Sequence, residues 1–483
     1  MDINKYDIKR FLVKSSDLTR KKLFVEFYQP KFQFLFKKLH ECPYPLHSLK
    51  ELSNRMFDGP FGSNRKVDMY QDNGIIPYIR VKDVLPSGIF LDELKYISQE
   101  KHNELIRSRV VPGNLLITIA GRLGTAAVFP ESLKEGNITG HIVGLELSKE
   151  INPHYVATFI NSQLGEFQAI RLGHRTTRPE LNLSEVGEFI IPVPPKPVQD
   201  LIAQIIQSAY STHQEKLVAA QNLILGIQEY VIKVIGIKNV LPGSQNRFII
   251  RRAQLNRFDV RYFLPFYTQL EQIIENSIYP TKNLSEICIN IVNGLTPAKD
   301  SYTENGCVVI KVSSLTKNWQ IEWNKVAFTS RTFFQKSKKA YVKDGDLLLL
   351  SASHQLDYIG GSFGLVRDIP IEYVDQCMAV GELIIVRVNH KIVLPEYLLT
   401  CFITKPIQEL INRMSRGQTA HLYAEDLQHL RVPLPSMEIQ QVIVDELNRR
   451  RNEANHLYTE AEYLLTEAKA RVERMILGEE EVT

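Results

Sequence analysis

Two polar stretches hold the side chains best suited to hydrogen-bond recognition. "RLGHRTTRPELN" (Arg171 to Asn182) sets Arg171, His174, Arg175 and Arg178 close together, and "RMSRGQTAHL" (Arg413 to Leu422) sets Arg413, Arg416, Gln418 and His421 at a matching place further on. The planar fork of arginine fits guanine O6/N7, the glutamine amide fits adenine N6/N7, and Thr or His serve bases or phosphates. The same composition also describes a solvated basic loop. Arg80 and Lys82, Arg122, Lys311 and Ser313, and Ser353 and His354 are further candidates, each at the end of an expected strand.

Covalent chemistry finds little footing. An amino-methyltransferase needs an Asn/Asp-Pro-Pro-aromatic corner, and the only Pro-Pro is Pro194-Pro195 in "VPPKP". No GxxxxGK[ST] phosphate loop occurs, and "GRLG" (Gly121 to Gly124) and "GGSFG" (Gly360 to Gly364) read as strand-turn glycines. "DELK" (Asp92 to Lys95) is a crowded imitation of a nuclease acid cluster. His and Cys are too dispersed to announce a metal site, and the five cysteines (Cys42, Cys288, Cys307, Cys377, Cys401) lack CxxC spacing and read as small buried hydrophobes. These residues point to binding, with no catalytic, cofactor or metal site of the chain's own.

The elements that must position them come in two copies. "IPVPPKPVQDLIAQII" (191–206) returns as "VPLPSMEIQQVIVDEL" (432–447), 241 residues downstream. "LFVEFYQP" (23–30) matches "FDVRYFLP" (258–265) and "LKEL" (49–52) matches "LSEI" (284–287), both at an offset of 235. "DGPFGSN" then faces "NGLTPAKD", "IPYIRVKDV" faces "CVVIKVSSL", and "VVPGNLLITIAG" faces "YVKDGDLLLLSAS". A Pro-Gly or Asp-Gly turn feeding an apolar run signals strand entry, so each half begins strand-rich. A period this long means two whole domains rather than a solenoid.

Each half closes on a proline-poor run of helical length. In the second, Leu447, Ala454, Ala461, Ala468 and Met475 recur every seven positions with Leu457 and Leu464 between them, a coiled-coil seam. The first keeps a comparable stripe through Ile206, Leu217, Ala220, Leu223, Ile227, Val231 and Val234, with His213 as its weak point. Two such helices in one chain are expected to pack on each other. The fold class is α+β, partitioned as strand-rich domains at 1–195 and 251–435, helices at 196–240 and 436–478, a linker at 241–250 and an acidic tail at 479–483.

Composition frames this reading. The 483 residues carry a net charge of only +4, with 44% hydrophobic and 23% charged residues, as ordinary globular domains do. Basic charge gathers where each repeat begins: residues 1–50 hold eleven Lys or Arg against five Asp or Glu, and 246–261 hold five arginines against one acid. The N-terminus lacks the apolar core of a signal peptide and no apolar run reaches the ~18 residues of a membrane span, so a cytoplasmic location without membrane contact is expected.

In this order, and twice, "DGPFGS", "GLTP", "RVKD", "GDLLLLSA" and the closing "IPVPP" and "VPLP" followed by Gln199 or Gln440 resemble the specificity subunits of Type I restriction-modification systems, over residues 15 to 478. The resemblance implies a DNA reader without chemistry of its own. Each strand-rich unit would be a target recognition domain reading one half of a bipartite, asymmetric target, and the two helices an antiparallel coiled coil acting as a ruler. The implied partners are double-stranded DNA, two methyltransferase subunits holding S-adenosylmethionine, and restriction-translocase subunits using ATP and Mg. Tyr230, Ile232, Tyr458 and Leu465 are candidates either for docking those partners or for packing inside the coiled coil. A coiled-coil scaffold with protein-binding domains and a methyltransferase with drifted motifs remain alternatives.

Overall fold

The computed structural model describes residues 25–60, 70–173, 179–237, 248–249, 259–417 and 420–480. His174, Arg175, Arg178, Gln418, most of the 241–250 linker, residues 1–24 of the first basic run and most of the second lie outside them. The chain divides into two compact units, one of residues up to Lys216 together with those from Thr459 onward, the other Leu217–Tyr458.

The first unit is built on two four-stranded sheets. One orders Ser53–Asp58, Ile142–Leu147, Leu115–Thr118 and Ala126–Val128, all antiparallel; the other orders Lys95–Ile97, Ile76–Ile79, Gly136–Ile138 and Arg109–Val110, with Gly136–Ile138 parallel to Ile76–Ile79. The second unit repeats the plan with Cys288–Asn293, Leu383–Val388, Leu347–Leu350 and Phe363–Leu365, and with Tyr302–Thr303, Ala327–Thr329, Cys307–Ile310 and Cys377–Ala379, where Cys377–Ala379 runs parallel to Cys307–Ile310.

The unbroken apolar run "LLLL" follows from burial on both faces. Leu347 and Leu349 enter the core shared with the helices, while Leu348 enters the core of the other sheet. Leu115 and Ile117 against Leu116 do the same in the first unit. With period-2 geometry, a strand between two cores has no polar side. The turns that launch these strands are also equivalent: Asn114 N–H donates to Val111 O at 3.1 Å and Asp346 N–H to Lys343 O at 3.1 Å. Gly113 and Gly345, both at φ +85°, supply the left-handed residue such a turn requires.

The repeated proline segment has a specific task in both units. Tyr155 Oη donates to Pro192 O at 2.6 Å and Tyr397 Oη to Pro433 O at 2.7 Å. Gln199 accepts from Asn152 N–H at 2.9 Å and donates to Pro194 O at 2.9 Å, and Gln440 accepts from Leu394 N–H at 2.9 Å and donates to Pro435 O at 3.0 Å. Both glutamines are buried. Prolines offer carbonyls but no N–H, so buried side-chain donors must satisfy the strand end before the helix begins.

Two long helices follow, Lys196–Ile235 and Met437–Leu477. Each unit's core takes one end of both: Ile202 with Val472, Met475 and Ile476 in the first, and Ile227, Val231 and Ile235 with Ile443, Val444 and Leu447 in the second. Within the first unit Lys216 pairs with Glu460 at 2.8 Å, His213 with Glu462 at 3.0 Å, and Lys469 lies 5.6 Å from the Tyr210 ring centroid, so the helices run antiparallel. His213, the polar interruption in the stripe, sits beside the seam with a carboxylate partner. Ala220, Ala454 and Ala461 are fully buried.

Other expectations need correction or refinement. Leu465 is buried, and Tyr230, Ile232 and Tyr458 are half-buried, Tyr230 beneath Arg450 and Ile232 against the second core, so they pack rather than present a docking face. The exposed large apolar residues of these two helices are Val218, Leu225, Val442 and Tyr463. Lys196–Ile235 is long and apolar enough to cross a membrane by length and composition only, a test that the core helix of a soluble protein also passes. Its buried stripe is nevertheless spent on the two cores. The acidic tail begins by pairing: Glu479 with Lys38 at 3.2 Å, and Glu480 with Arg471 at 2.8 Å and Arg474 at 3.1 Å.

Candidate nucleic-acid interface

In the second unit, strand Leu347–Leu350 ends at Ser351, and the next residues, Ala352–Ser353, pair antiparallel with Ala420–His421. Leu422 N–H donates to Ser351 O at 2.7 Å, while Arg416 and His421 exchange both backbone hydrogen bonds at 2.8 Å. This unites two segments that are some seventy residues apart in the sequence and puts Ser353, His354, Arg416 and His421 on one edge. His354, Arg416 and His421 are exposed. The Arg416 guanidinium pairs with Asp426 and lies 5.3 Å from the ring centroid of Tyr423, an exposed aromatic that the loop motif alone did not single out.

The same edge continues through Glu382. Ser351 N–H donates to its carbonyl at 2.8 Å, and its carboxylate accepts from Thr296 Oγ1 at 3.1 Å. Thr296 follows Gly294, whose missing Cβ lets the "NGL" backbone lie directly on Ala379 and Val380; Gly59 does the same on Ile138 and Thr139 in the first unit. Those glycines are required by close backbone approach, which explains the repeated motif.

In the first unit Ala120 bridges Glu180, Leu181 N–H donates to Ile119 O at 2.9 Å, and Ile119 N–H donates to His141 O at 2.9 Å. His141 Nδ1 stands 3.3 Å from the Glu180 carboxylate. Beside them Arg122 is exposed, on a turn held by Thr118 Oγ1, which accepts from Thr125 N–H at 3.0 Å and donates to Arg122 O. His141 occupies the place that Glu382 has in the second unit. Sequence reading missed both, because each stands in an apolar context and meets its partner only through sheet pairing.

Three arginines have internal duties instead. Arg171 is half-buried, its guanidinium 4.0 Å from the Phe27 ring centroid and 4.2 Å from that of Phe36, with Nε donating to Phe27 O at 3.1 Å. Burial lowers its pKa to about 10. Arg413, at the equivalent place, lies 4.4 Å from the Tyr262 ring centroid, donates to Tyr262 O at 2.7 Å and pairs with Glu271 at 2.6 Å, with 11% of its side chain exposed. Both clamp the segment that opens their repeat onto the helix that carries them. Arg80 makes a bidentate pair with fully buried Asp83 at 2.9 Å and donates to Glu93 O at 2.6 Å.

Lys82 is exposed and pairs with Glu93 at 2.7 Å. Lys311 and Ser313 are exposed on the corresponding turn, anchored by Ser314, whose hydroxyl accepts from Lys311 N–H at 3.2 Å and donates to Lys325 O at 2.9 Å. These turns adjoin the same edges, since Thr139 N–H donates to Ile79 O and Val380 N–H to Ile310 O, both at 3.0 Å. "GRLG" is the strand turn expected, whereas Gly360 and Gly361 end a short helix, Leu356–Gly361. Among the described residues no His, Cys, Asp or Glu cluster could hold a metal ion. Cys307, Cys377 and Cys401 are buried, and burial pushes the Cys377 and Cys401 thiols up to about 12, which suppresses thiolate reactivity.

Comparison with known proteins agrees with this geometry. The family model described as Type I restriction modification DNA specificity domain matches twice, at residues 62–222 and 276–462. The Type I restriction enzyme EcoBI specificity subunit of Escherichia coli is 26% identical over 146 residues, 30% of this chain and 31% of that protein, so the matched stretch spans under a third of the relative's length. A solved structure addressing complex assembly and conformational transition of the type I R-M system shares the fold, with a TM-score of 0.51 and 14% identity over 90% of this chain and 98% of that one. The Type-I restriction-modification S subunit from M. genitalium aligns over 92% and 97% of the two chains at 13% identity and a TM-score of 0.45.

Proposed function

The chain belongs to the Type I restriction-modification DNA specificity family, whose specificity subunits are non-catalytic, and from that premise we propose that its two loop edges read the two halves of a bipartite, asymmetric DNA target. One observation carries the reading. A duplicated frame presents two equivalent edges with different side chains: Arg122, His141 and Glu180 in the first unit, and Arg416, His421, Tyr423, Glu382 and Thr296 in the second. Identical edges would suit a palindrome; unlike edges suit unlike half-sites. His174, Arg175, Arg178 and Gln418 adjoin these residues in the sequence and join the proposed readers.

In this reading residues 1–195 and 251–435 are the recognition domains, and the long helices set the gap between half-sites. The chain acts with two methyltransferase subunits that supply S-adenosylmethionine chemistry and, for cleavage, with restriction subunits using ATP and Mg, in the cytoplasm. Sequence selection with the purified chain and its methyltransferase partner tests the proposal: two unequal half-sites at a fixed gap are expected. Arg416→Ala should lose about 2 kcal/mol of base discrimination in one half-site, and Arg122→Ala in the other. An equal loss on every sequence with a reduced salt slope would instead make them phosphate contacts.

The ruler is tested by inserting one heptad after Ala220 and one after Ala461. This keeps the seam and adds ~10 Å of helix, so the selected gap should lengthen by about three base pairs at ~3.4 Å each. An unchanged gap would show that the helices do not set it.

A further inference from the structure

The first unit contains a pocket of about 330 Å³, at the lower end of the range for small-ligand sites. Its floor is apolar, from Ala127, Val128, Ala157, Ile206 and Val472, and one wall is the hairpin tip Pro86, Ser87 and Gly88. Tyr210 and Lys469 stand at one side, the ammonium 5.6 Å from the ring centroid. Polar groups line it as well: Gln207 Nε2 lies 2.8 Å from His154 Nδ1, and Glu473 Oε1 accepts from Gln163 N–H at 2.7 Å, which leaves the second carboxylate oxygen of this lining residue outside that bond.

The second unit shows what the duplicated frame puts in this place. Where the first hairpin closes tightly through Leu85 and Gly88, the second closes from Leu315 to Ile321 with a longer tip that includes Trp319. Trp319 O accepts from Leu365 N–H at 2.9 Å, and its ring stacks on Phe363 with centroids 6.4 Å apart and planes 11° apart. Phe363 in turn meets Phe402 edge-on at 6.3 Å. Asn318 Nδ2 reaches Asn455 Oδ1 of the long helix at 3.4 Å and closes the gap. At the corresponding positions the first unit has a bare Gly88 tip, Ala126 for Phe363 and Ile160 for Phe402; the last two are buried in its core, and the pocket beside Gly88 is lined by their neighbours Ala127, Val128 and Ala157. One copy fills the space with its own indole; the other leaves it open.

We propose that the first unit's pocket receives a planar aromatic ring of about indole size that this chain does not supply, in the place that the second unit fills with Trp319. The apolar floor takes the ring faces, Lys469 offers a cation near the π system, and Glu473 Oε2 accepts a ring N–H. The ring comes either from a tryptophan side chain of a partner protein or from a free heteroaromatic molecule. The inference stands apart from the DNA reading, since its readout involves no DNA.

Saturation-transfer NMR on the full chain tests it, with indole, N-acetyl-tryptophanamide and cyclohexanol as probes. Saturable transfer to indole and none to cyclohexanol is expected. Ala157→Phe, which fills the floor, and Gln207→Phe, at an exposed helix position that does not threaten folding, should each weaken binding at least about tenfold. Matching binding of N-acetyl-tryptophanamide assigns the ring to a protein side chain; binding of indole alone assigns it to a free molecule. No saturable transfer from either aromatic probe, equal binding of cyclohexanol, or indifference to Gln207→Phe would overturn the proposal.

Discussion

Arg171 and Arg413 occupy the same position in the two units and do the same work by different means. Arg171 lies between two rings, Phe27 and Phe36; Arg413 lies against Tyr262 and pairs with Glu271, which stands where the first unit has Phe36. Gln199 and Gln440, by contrast, keep the same residue and two equivalent bonds, to which Gln440 adds a third, donated to Ile392 O at 3.1 Å. A buried strand end that must satisfy carbonyls and an N–H at fixed places accepts one solution, an amide with both donor and acceptor. A guanidinium clamp accepts either a π face or a carboxylate, so its partners could diverge. The two loop edges diverge further still: His141 faces Glu180 in the first unit, where Glu382 meets Thr296 in the second.

The largest effect is expected where the units agree. Gln199→Ala and Gln440→Ala should each destabilise their own unit by about 3 kcal/mol, because each leaves a buried N–H and a carbonyl without a partner. Denaturant unfolding gives the size, and hydrogen exchange mapped to each unit checks the locality. A loss confined to one of the two variants would break the equivalence.

A smaller and unequal effect is expected at the clamp. Arg413→Ala removes a charge-assisted bond as well as ring contact and should cost about 2 kcal/mol, whereas Arg171→Ala should cost about 1 kcal/mol. Raising salt in the same melts should shrink the Arg413 difference more than the Arg171 difference, because only the former includes an exposed carboxylate partner. Phe36→Glu should transfer that salt dependence to the first unit.

The smallest difference concerns pH. Burial holds the His154 imidazole below its ordinary pKa, opposed by the field of Glu131. The unfolded chain therefore binds this proton more readily, and the first unit loses stability as pH falls through about 6.5. The second unit has Glu396 at that place, paired with Arg367 at 2.6 Å, and lacks the imidazole. In hydrogen exchange between about pH 7.5 and 5.5, His154→Gln should flatten the slope of the first unit alone. An unchanged slope would remove His154 from the comparison.

The duplication, the strand entries at Gly113 and Gly345, and the helices after Pro195 and Pro435 were legible in the sequence, because turn chemistry, apolar period and helix stops act over a few residues. The motifs of the resemblance were legible for the same reason. Tertiary structure alone decided which polar residues face outward. Arg416 and Arg413 belong to one basic stretch, yet one stands exposed on the loop edge and the other is clamped to Tyr262, some 150 residues away. Tertiary structure also decided that each core draws on both long helices, that His141 meets Glu180, and that Trp319 fills a space left open in the first unit. A guanidinium or an indole has the same local preferences whether its partner is water, a ring or a carboxylate. What it touches is fixed by packing between segments distant in the chain, and no local pattern records that distance.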